Sequence, residues 1–445
     1  MRRVLSAEAY ESVLRSLTAD QRQQAADTIA CAARECMERH GLRRAVFLCG
    51  EPLREIGSLA AEQLKAPAAL LHRDGLPDLS HSLVCDLLFS GDAKAWIRAM
   101  IDAGCPILSV GIPAGVDPDT GMASDPAVRA QVTVAPFGYL PGLFLRDGLD
   151  HCGEIRPVGG ETESEEGLLR FEEADTRRIL PPRKRTAHKG DSGKTLLCVG
   201  SPKYVGAALL SARASLAAGC GILYVACPNM VRTALARLPE AIGIPVGEDW
   251  NDASSRVAAD ALHGMKALGL GCGMGDGDAS ILIEAALKSN LPLVLDADGL
   301  NCLSRHRPLY GLLHEKAVLT PHPGEMSRLT GLPVNEVLGD PVTIAQRYAG
   351  RWGCTVLLKG AATVVSDGIR TRLVAEGNAG LGKGGSGDVL TGIITGLLSQ
   401  GVEPFDAACL GSYLLGASAE RAFELLRERM LRASNVIEAL TEWNE

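Results

Sequence analysis

The sequence predicts an α/β fold in two successive domains. Three observations carry that prediction. Short apolar runs alternate with longer segments of helical character along the chain. A polar, acidic, glycine-containing stretch interrupts the alternation between residues 156 and 169. A dense glycine loop near the C-terminus runs directly into an apolar helix. Alternation of this kind is the rhythm of parallel strands joined by crossover helices. With 445 residues, 46% hydrophobic and 22% charged, the chain has ample apolar material for more than one core.

In order, residues 6–40 read as helix, being rich in Ala, Glu, Arg and Gln and free of Gly and Pro. AVFLCG (residues 45–50) follows as a buried strand, then a helix near residues 56–64. AALLH, SLVCDLLF and PILSVGIP are strand-like, with a helical stretch at residues 93–103 between the last two. PVGGETESEEG has no apolar period and reads as a linker. The expected boundaries are a first domain over residues 1–157, a linker over 158–170 and a second domain over 171–445. In the second domain TLLCVG, ILYVACP, ALGLG, LPLVLDA, AVLTP and TVLLKG are strands, each followed by a helical segment.

A formal net charge of −8 argues against nucleic acid or an anionic membrane as the main partner. Aromatic residues at 4% leave few rings for stacking on bases. The 13 cysteines include no CxxC pair and no Cys/His cluster at zinc spacing, which fits a reducing compartment. The N-terminus has no apolar signal-peptide core, and no long uncharged apolar run occurs. A cytoplasmic protein is expected.

The most informative segment is GNAGLGKGGSGDVLTGIITGLLSQG, residues 377–401. Glycines let backbone N–H groups converge on an anion, and the helix predicted from about Val389 adds a favourable dipole. Asp388 at the mouth of that helix is either its N-cap or a base for an attacking hydroxyl. An N-cap needs no preceding run of glycines, so the phosphate cradle is the preferred reading. The spacing is not that of a Walker-type loop. LGCGMG, with Gly271, Gly273 and Gly275, follows a strand and lines a crevice or merely makes a tight turn. Asp296 and Asp298 end another strand; one caps a helix while the other serves ligand or metal, and the sequence does not divide the roles. His322 and Glu325 in TPHPGE are loop and helix-start residues or site residues. Lys359, Gly360 and Thr363 lie at a strand end and hairpin-like turn suited to a nucleotide phosphate or ribose. HKGDSGK, with Gly190, opens the second domain as a site loop or an exposed basic one.

Six stretches in order resemble the ADP/ATP-dependent NAD(P)H-hydrate dehydratases of the ribokinase-like superfamily. They are HKGDSGKTLLCVGSPKYVGAALLSARASLAAGCGILYV, ALGLGCGMG, LPLVLDADGLNCL, AVLTPHPGE, TVLLKGAATVV and GNAGLGKGGSGDVLTGIITGLL. The resemblance implies a ribokinase-like second domain that phosphorylates the hydroxyl of NADH or NADPH hydrate with ADP or ATP and then eliminates phosphate. It assigns Asp388 as catalytic base. It assigns Lys359, Gly360, Ala361, Ala362, Thr363, Gly385, Ser386 and Gly387 to the nucleotide, and Ala207, Gly273, His322 and Asp388 to the hydrate. Glu325 would organise magnesium through water. Cys272 departs from the family's GPG turn, where proline pre-sets φ. Homo-oligomers are common in the family and are expected here.

The first domain, over residues 44–157, resembles the Rossmann-like, three-layer NAD(P)H-hydrate epimerase domain often fused ahead of the dehydratase. Its site motifs are eroded. The family's GNNGGDG loop is replaced by Gly50-Glu51-Pro52-Leu53-Arg54-Glu55-Ile56-Gly57. Gly111 stands where a DIPSG segment has its catalytic Asp, and Ala114 replaces the Ser that would ligate potassium. Of the usual ion ligands only Asp86 remains. An inactive epimerase domain is expected. Two further readings stay open on sequence: a vitamin-precursor kinase of the same superfamily, and a catalytically silent nucleotide-binding scaffold. HKGDSGK and TPHPGE favour the dehydratase over the kinase, and the intact Asp388 with its glycine loop argues against the scaffold.

Overall fold

The computed structural model describes residues 1–71, 78–89, 94–161, 167–180, 186, 192–426 and 428–443. The chain divides into two units, Met1–Leu169 and Arg170–Glu445. Part of the stretch read as a linker is regular: Gly167–Arg170 is a strand, and residues 162–166 lie outside the described residues.

In the first unit six parallel strands lie in the order Ala68–Leu71, Ala45–Cys49, Leu83–Leu87, Ile107–Val110, Val132–Pro136 and Glu154–Val158. The four strands inside this row are buried throughout their length, which is why they read as unbroken apolar runs rather than alternating ones. The single N-terminal helix expected from composition is two helices, Ala7–Ser16 and Ala19–His40. Thr18 breaks it: its hydroxyl accepts from the Gln21 N–H while the Gln21 side chain accepts from the Thr18 N–H. That reciprocal cap outweighs the helix propensity of the flanking residues.

In the second unit seven strands run parallel in the order Ala241–Pro245, Ile222–Cys227, Lys194–Cys198, Ala267–Leu270, Leu293–Leu295, Ala317–Leu319 and Thr355–Leu358. The antiparallel strands Thr363–Ser366 and Arg370–Val374 continue the sheet, so the turn at Lys359 is the expected hairpin. Ala241–Pro245 escaped the sequence reading because Gly243 and Pro245 count against a strand; it lies outermost in this row and is mostly half-exposed. Strand order reverses between Lys194–Cys198 and Ala267–Leu270, and such a reversal opens a crevice at the carboxyl ends of the strands. No helix among the described residues is long and apolar enough to cross a membrane.

The helix Ser386–Ser399 is buried from Val389 onward and packs against Val205–Ala217. Its glycines make the approach possible. A Cβ at Gly392 would lie 2.3 Å from the Ser211 carbonyl oxygen, and one at Gly396 would lie 2.8 Å from that of Ser215. Gly392→Ala should therefore destabilise the unit by about 1–3 kcal/mol despite alanine's better helix propensity. The expected readout is a lower urea midpoint with an unchanged m-value, and an unchanged midpoint would contradict this packing.

Candidate active site

Three strand ends deliver the polar groups of the crevice. Asp296 follows Leu293–Leu295 and stands at the N-cap position of the helix Ala297–Arg305, yet its side chain caps nothing. Its carboxylate is almost wholly buried, with Oδ1 accepting from Lys359 Nζ at 2.8 Å and Oδ2 from Thr391 Oγ1 at 2.9 Å. Lys359 follows Thr355–Leu358, and its N–H donates to the Pro321 carbonyl, which ties two neighbouring loops together. The ammonium also lies 3.8 Å from Glu325 Oε2. Burial works against its charge, but Asp296 and Glu325 outweigh burial and hold it above its ordinary range.

The glycine loop brings Asp388 to this pair. Gly385, at φ 102°, makes the left-handed turn into a helix that begins at Ser386 rather than near Val389. Asp388 is thus in the first helical turn and is not the N-cap, and no side chain caps this helix end. The first-turn amides of such a helix have no intrahelical partner. A Cβ at Gly387 would come 3.4 Å from Asp296 Oδ2 and 3.6 Å from Lys359 Nζ, so the loop backbone lies directly against the ion pair. Burial, then the charge on Asp296, pushes the Asp388 carboxyl up to about 6, against the opposing influence of the Cys272 thiol and Lys359. A group so placed is a carboxylate at neutral pH and can still accept a proton.

His322 and Glu325 begin the helix Pro323–Thr330 as a reciprocal cap. His322 Nδ1 accepts from Gly324 N–H at 3.0 Å, and Glu325 Oε2 accepts from His322 N–H at 2.8 Å. The helix-start role of Glu325 is therefore real, and the same carboxylate reaches the lysine. Burial raises Glu325, with Lys359 opposing, while burial and then Lys359 lower His322. Ala207, in the first turn of Val205–Ala217, meets Gly273, where an added Cβ would be 2.7 Å from the Ala207 Cβ. Gly360, Ala361 and Ala362 form the turn between Lys359 and Thr363, which opens the next strand. Asp298 divides from Asp296 in role: it accepts from the Gly275 N–H at 2.7 Å and so holds the Gly271–Gly275 turn. Residues 188–191 of HKGDSGK lie outside the described residues. Thr391 was not singled out from sequence, although it follows Asp388 by three residues and shares its helix face.

In the first unit Asp86 and Ala114 also meet at a carboxyl edge, where Gly111 follows the strand Ile107–Val110. Asp86 is fully buried, and burial raises its pKa. Its Oδ2 accepts from Ser109 Oγ at 3.0 Å and Ala114 N–H at 2.8 Å, and Oδ1 accepts from Leu88 N–H at 3.2 Å. Gly111 has φ 82°, and a Cβ there would lie 3.0 Å from the Phe89 ring and 3.6 Å from Tyr10. Those two rings stack at 5.6 Å between centroids.

A mostly parallel sheet with a glycine loop, a lysine and a buried carboxylate at its carboxyl edge defines a nucleotide-dependent enzyme of ribokinase-like fold. The NAD(P)H-hydrate dehydratase family model matches residues 195–441, and the YjeF-related N-terminal model matches residues 87–142. The chain belongs to the bifunctional NAD(P)H-hydrate repair enzyme family. It is 35% identical over 401 residues to the repair enzyme Nnr of Moorella thermoacetica, covering 84% of this chain and 74% of that one. It is 32% identical over 379 residues to Nnr of Vibrio cholerae, covering 82% and 75%. The solved ADP/ATP-dependent NAD(P)H-hydrate dehydratase of Bacillus subtilis, co-crystallised with ATP and magnesium, is 30% identical with a TM-score of 0.54. That comparison covers 62% of this chain and 96% of the other.

Neutralising Asp296 should lower the Asp388 pKa from about 6, because its charge is the largest electrostatic contribution after burial. Carboxyl-carbon NMR titration of Asp296→Asn against the parent protein checks this. An unmoved or raised value would mean that the two carboxylates do not share a field.

Proposed function

We propose that the second unit dehydrates the S form of NADH or NADPH hydrate, using ADP or ATP to phosphorylate its hydroxyl before phosphate leaves. The observation that carries this reading is Asp388, held near pKa 6 beside glycine-loop amides and the Asp296–Lys359 pair. Phosphoryl transfer asks for positioning and charge stabilisation around one base, and these groups supply both. Asp388 takes the proton of the hydroxyl as its oxygen bonds to the transferring phosphorus and the bond to the nucleotide breaks. Amides of Gly385, Ser386 and Gly387 then face charge on the phosphoryl oxygens. Lys359 and the turn Gly360 to Thr363 hold the nucleotide, while Ala207, Gly273 and His322 shape the place of the hydrate. Departure of phosphate from the ring carbon, with loss of a proton from its neighbour, restores the double bond.

Magnesium fits this site. Glu325 and Asp296 are hard oxygen donors near Lys359 Nζ, and a magnesium ion needs only one or two carboxylates besides water and phosphate oxygens. Glu325 would hold it through water. When bound, magnesium neutralises charge on the nucleotide phosphates.

The direct assay is reduced-nicotinamide absorbance with S hydrate, ADP or ATP, and magnesium; no gain with either nucleotide would overturn the proposal. Asp388→Asn should cut turnover by about a hundredfold to ten-thousandfold while nucleotide binding stays largely intact. Because the carboxylate is the working form, kcat/KM should fall as pH drops through about 6 and level off above it. Near-normal turnover in Asp388→Asn, or a rate that rises on acidification, would remove Asp388 from the base role.

The first unit, on the same proposal, no longer epimerises the hydrate. Gly111 carries no acid/base group, and restoring an Asp would force a side chain at positive φ against Phe89. Glu51-Pro52-Leu53 replaces a loop of asparagines and glycines; Pro52 offers no N–H, and Glu51 and Glu55 repel phosphate. Asp86 serves to pin the strand-end loops through Leu88 and Ala114. R hydrate supplied to the full chain should therefore convert to S no faster than it does spontaneously. Catalysed interconversion that persists in Asp388→Asn would make this unit an enzyme.

A further inference from the structure

We propose that Asp278, Cys302 and His306 form a binding site for a zinc-type transition-metal dication, apart from the phosphoryl-transfer groups. One potential ligand atom from each lies within 4.8 Å of the others, and among the described residues this is the one such group of three or more. Cys302 and His306 are four residues apart at the end of the helix Ala297–Arg305, a spacing that puts two ligands on one helix face. Asp278 comes from the loop ahead of the helix Ser280–Lys288. Looking for CxxC pairs and Cys/His clusters passes over this group, because its third member lies 24 residues upstream.

Each pair of the three side chains is in contact. Cys302 Sγ is 3.6 Å from Asp278 Oδ1 and 3.7 Å from His306 Nδ1, and His306 Nε2 is 3.5 Å from Asp278 Oδ2. Metal–ligand bonds of about 2.0–2.3 Å at tetrahedral angles place ligand atoms roughly 3.3–3.6 Å apart. His306 Nδ1 donates to the Cys302 carbonyl at 2.9 Å, and Nε2 faces Asp278 Oδ2. A backbone carbonyl holding the second ring nitrogen is also how metal-binding histidines are oriented. Cys302 is buried, His306 half-buried and Asp278 exposed, so the ion would have a protein side and a solvent side with a place for water. Thiolate, imidazole and carboxylate together suit zinc better than magnesium.

The site has a structural consequence. Asp298, at the start of the same helix, already holds Gly275 through its backbone N–H. An ion joining Asp278 to Cys302 and His306 would fasten the other end of that loop to the end of that helix. The turn carrying Gly273, which has Cys272 where proline would stiffen it, would then be held at both ends.

The test uses the full chain, stripped with chelator and titrated with Co2+. One equivalent should give a thiolate-to-cobalt charge-transfer band with tetrahedral visible absorption, and Zn2+ should displace both. Cys302→Ser should abolish the band, and Asp278→Ala, an exposed change that also removes an acceptor of the Ser280 N–H, should weaken Zn2+ binding at least about tenfold. Zn2+ should raise the Tm of the parent chain but not that of Cys302→Ser. No thiolate band at one equivalent of Co2+, or a band that survives in Cys302→Ser, would overturn the proposal and leave His306 as an ion-pair partner of Asp278.

Discussion

The Asp296–Lys359 ion pair is the constraint on which the second unit's crevice depends. Its two members come from different strand ends, and its atoms reach Thr391 on the glycine-loop helix and approach Glu325 at the next loop. A buried pair of this kind adds little net stability, but removing Lys359 would strand the Asp296 charge almost out of reach of water. The arrangement is therefore tolerable only when all its elements are docked. Docking in turn rests on Gly392 and Gly396, which let the helix bearing Asp388 sit close enough on its neighbour. The same pair adds to what burial does to Asp388, since Asp296 raises it further and Lys359 holds it down.

The two units share an architecture. Each has a parallel sheet with polar groups at the carboxyl edge. In the second unit the edge keeps an open helix end and a carboxylate that burial raises to about 6. In the first, Asp86 is enclosed by three protein donors, and the space in front of Gly111 is taken by the stacked rings of Tyr10 and Phe89. Tyr10 arrives from the helix Ala7–Ser16, far away in sequence.

Much of this was legible in the residues. Buried parallel strands announce themselves as apolar runs, and the glycine loop before an apolar helix pointed to Asp388 because few structural purposes need that many glycines. What was not legible depended on contacts remote in sequence. The roles of Asp296 and Asp298 separated only when Lys359 and Thr391 met the first and Gly275 met the second. The start of the Asp388 helix was misplaced because Gly385, Ser386 and Gly387 have poor helix propensity, and the loop's left-handed turn starts the helix regardless. The break at Thr18 was written in the sequence as a Thr-x-x-Gln cap, but it was masked by strong helix formers on both sides.

The central claim is that one base and one glycine loop couple nucleotide cleavage to restoration of the nicotinamide ring. The most direct measurement is a single turnover of S hydrate with ADP and magnesium, following reduced nicotinamide, AMP and inorganic phosphate together. The account predicts one AMP and one phosphate for each ring restored, with no ring restored when nucleotide is omitted. AMP released while a phosphorylated hydrate accumulates, or ring restoration without nucleotide cleavage, would contradict it.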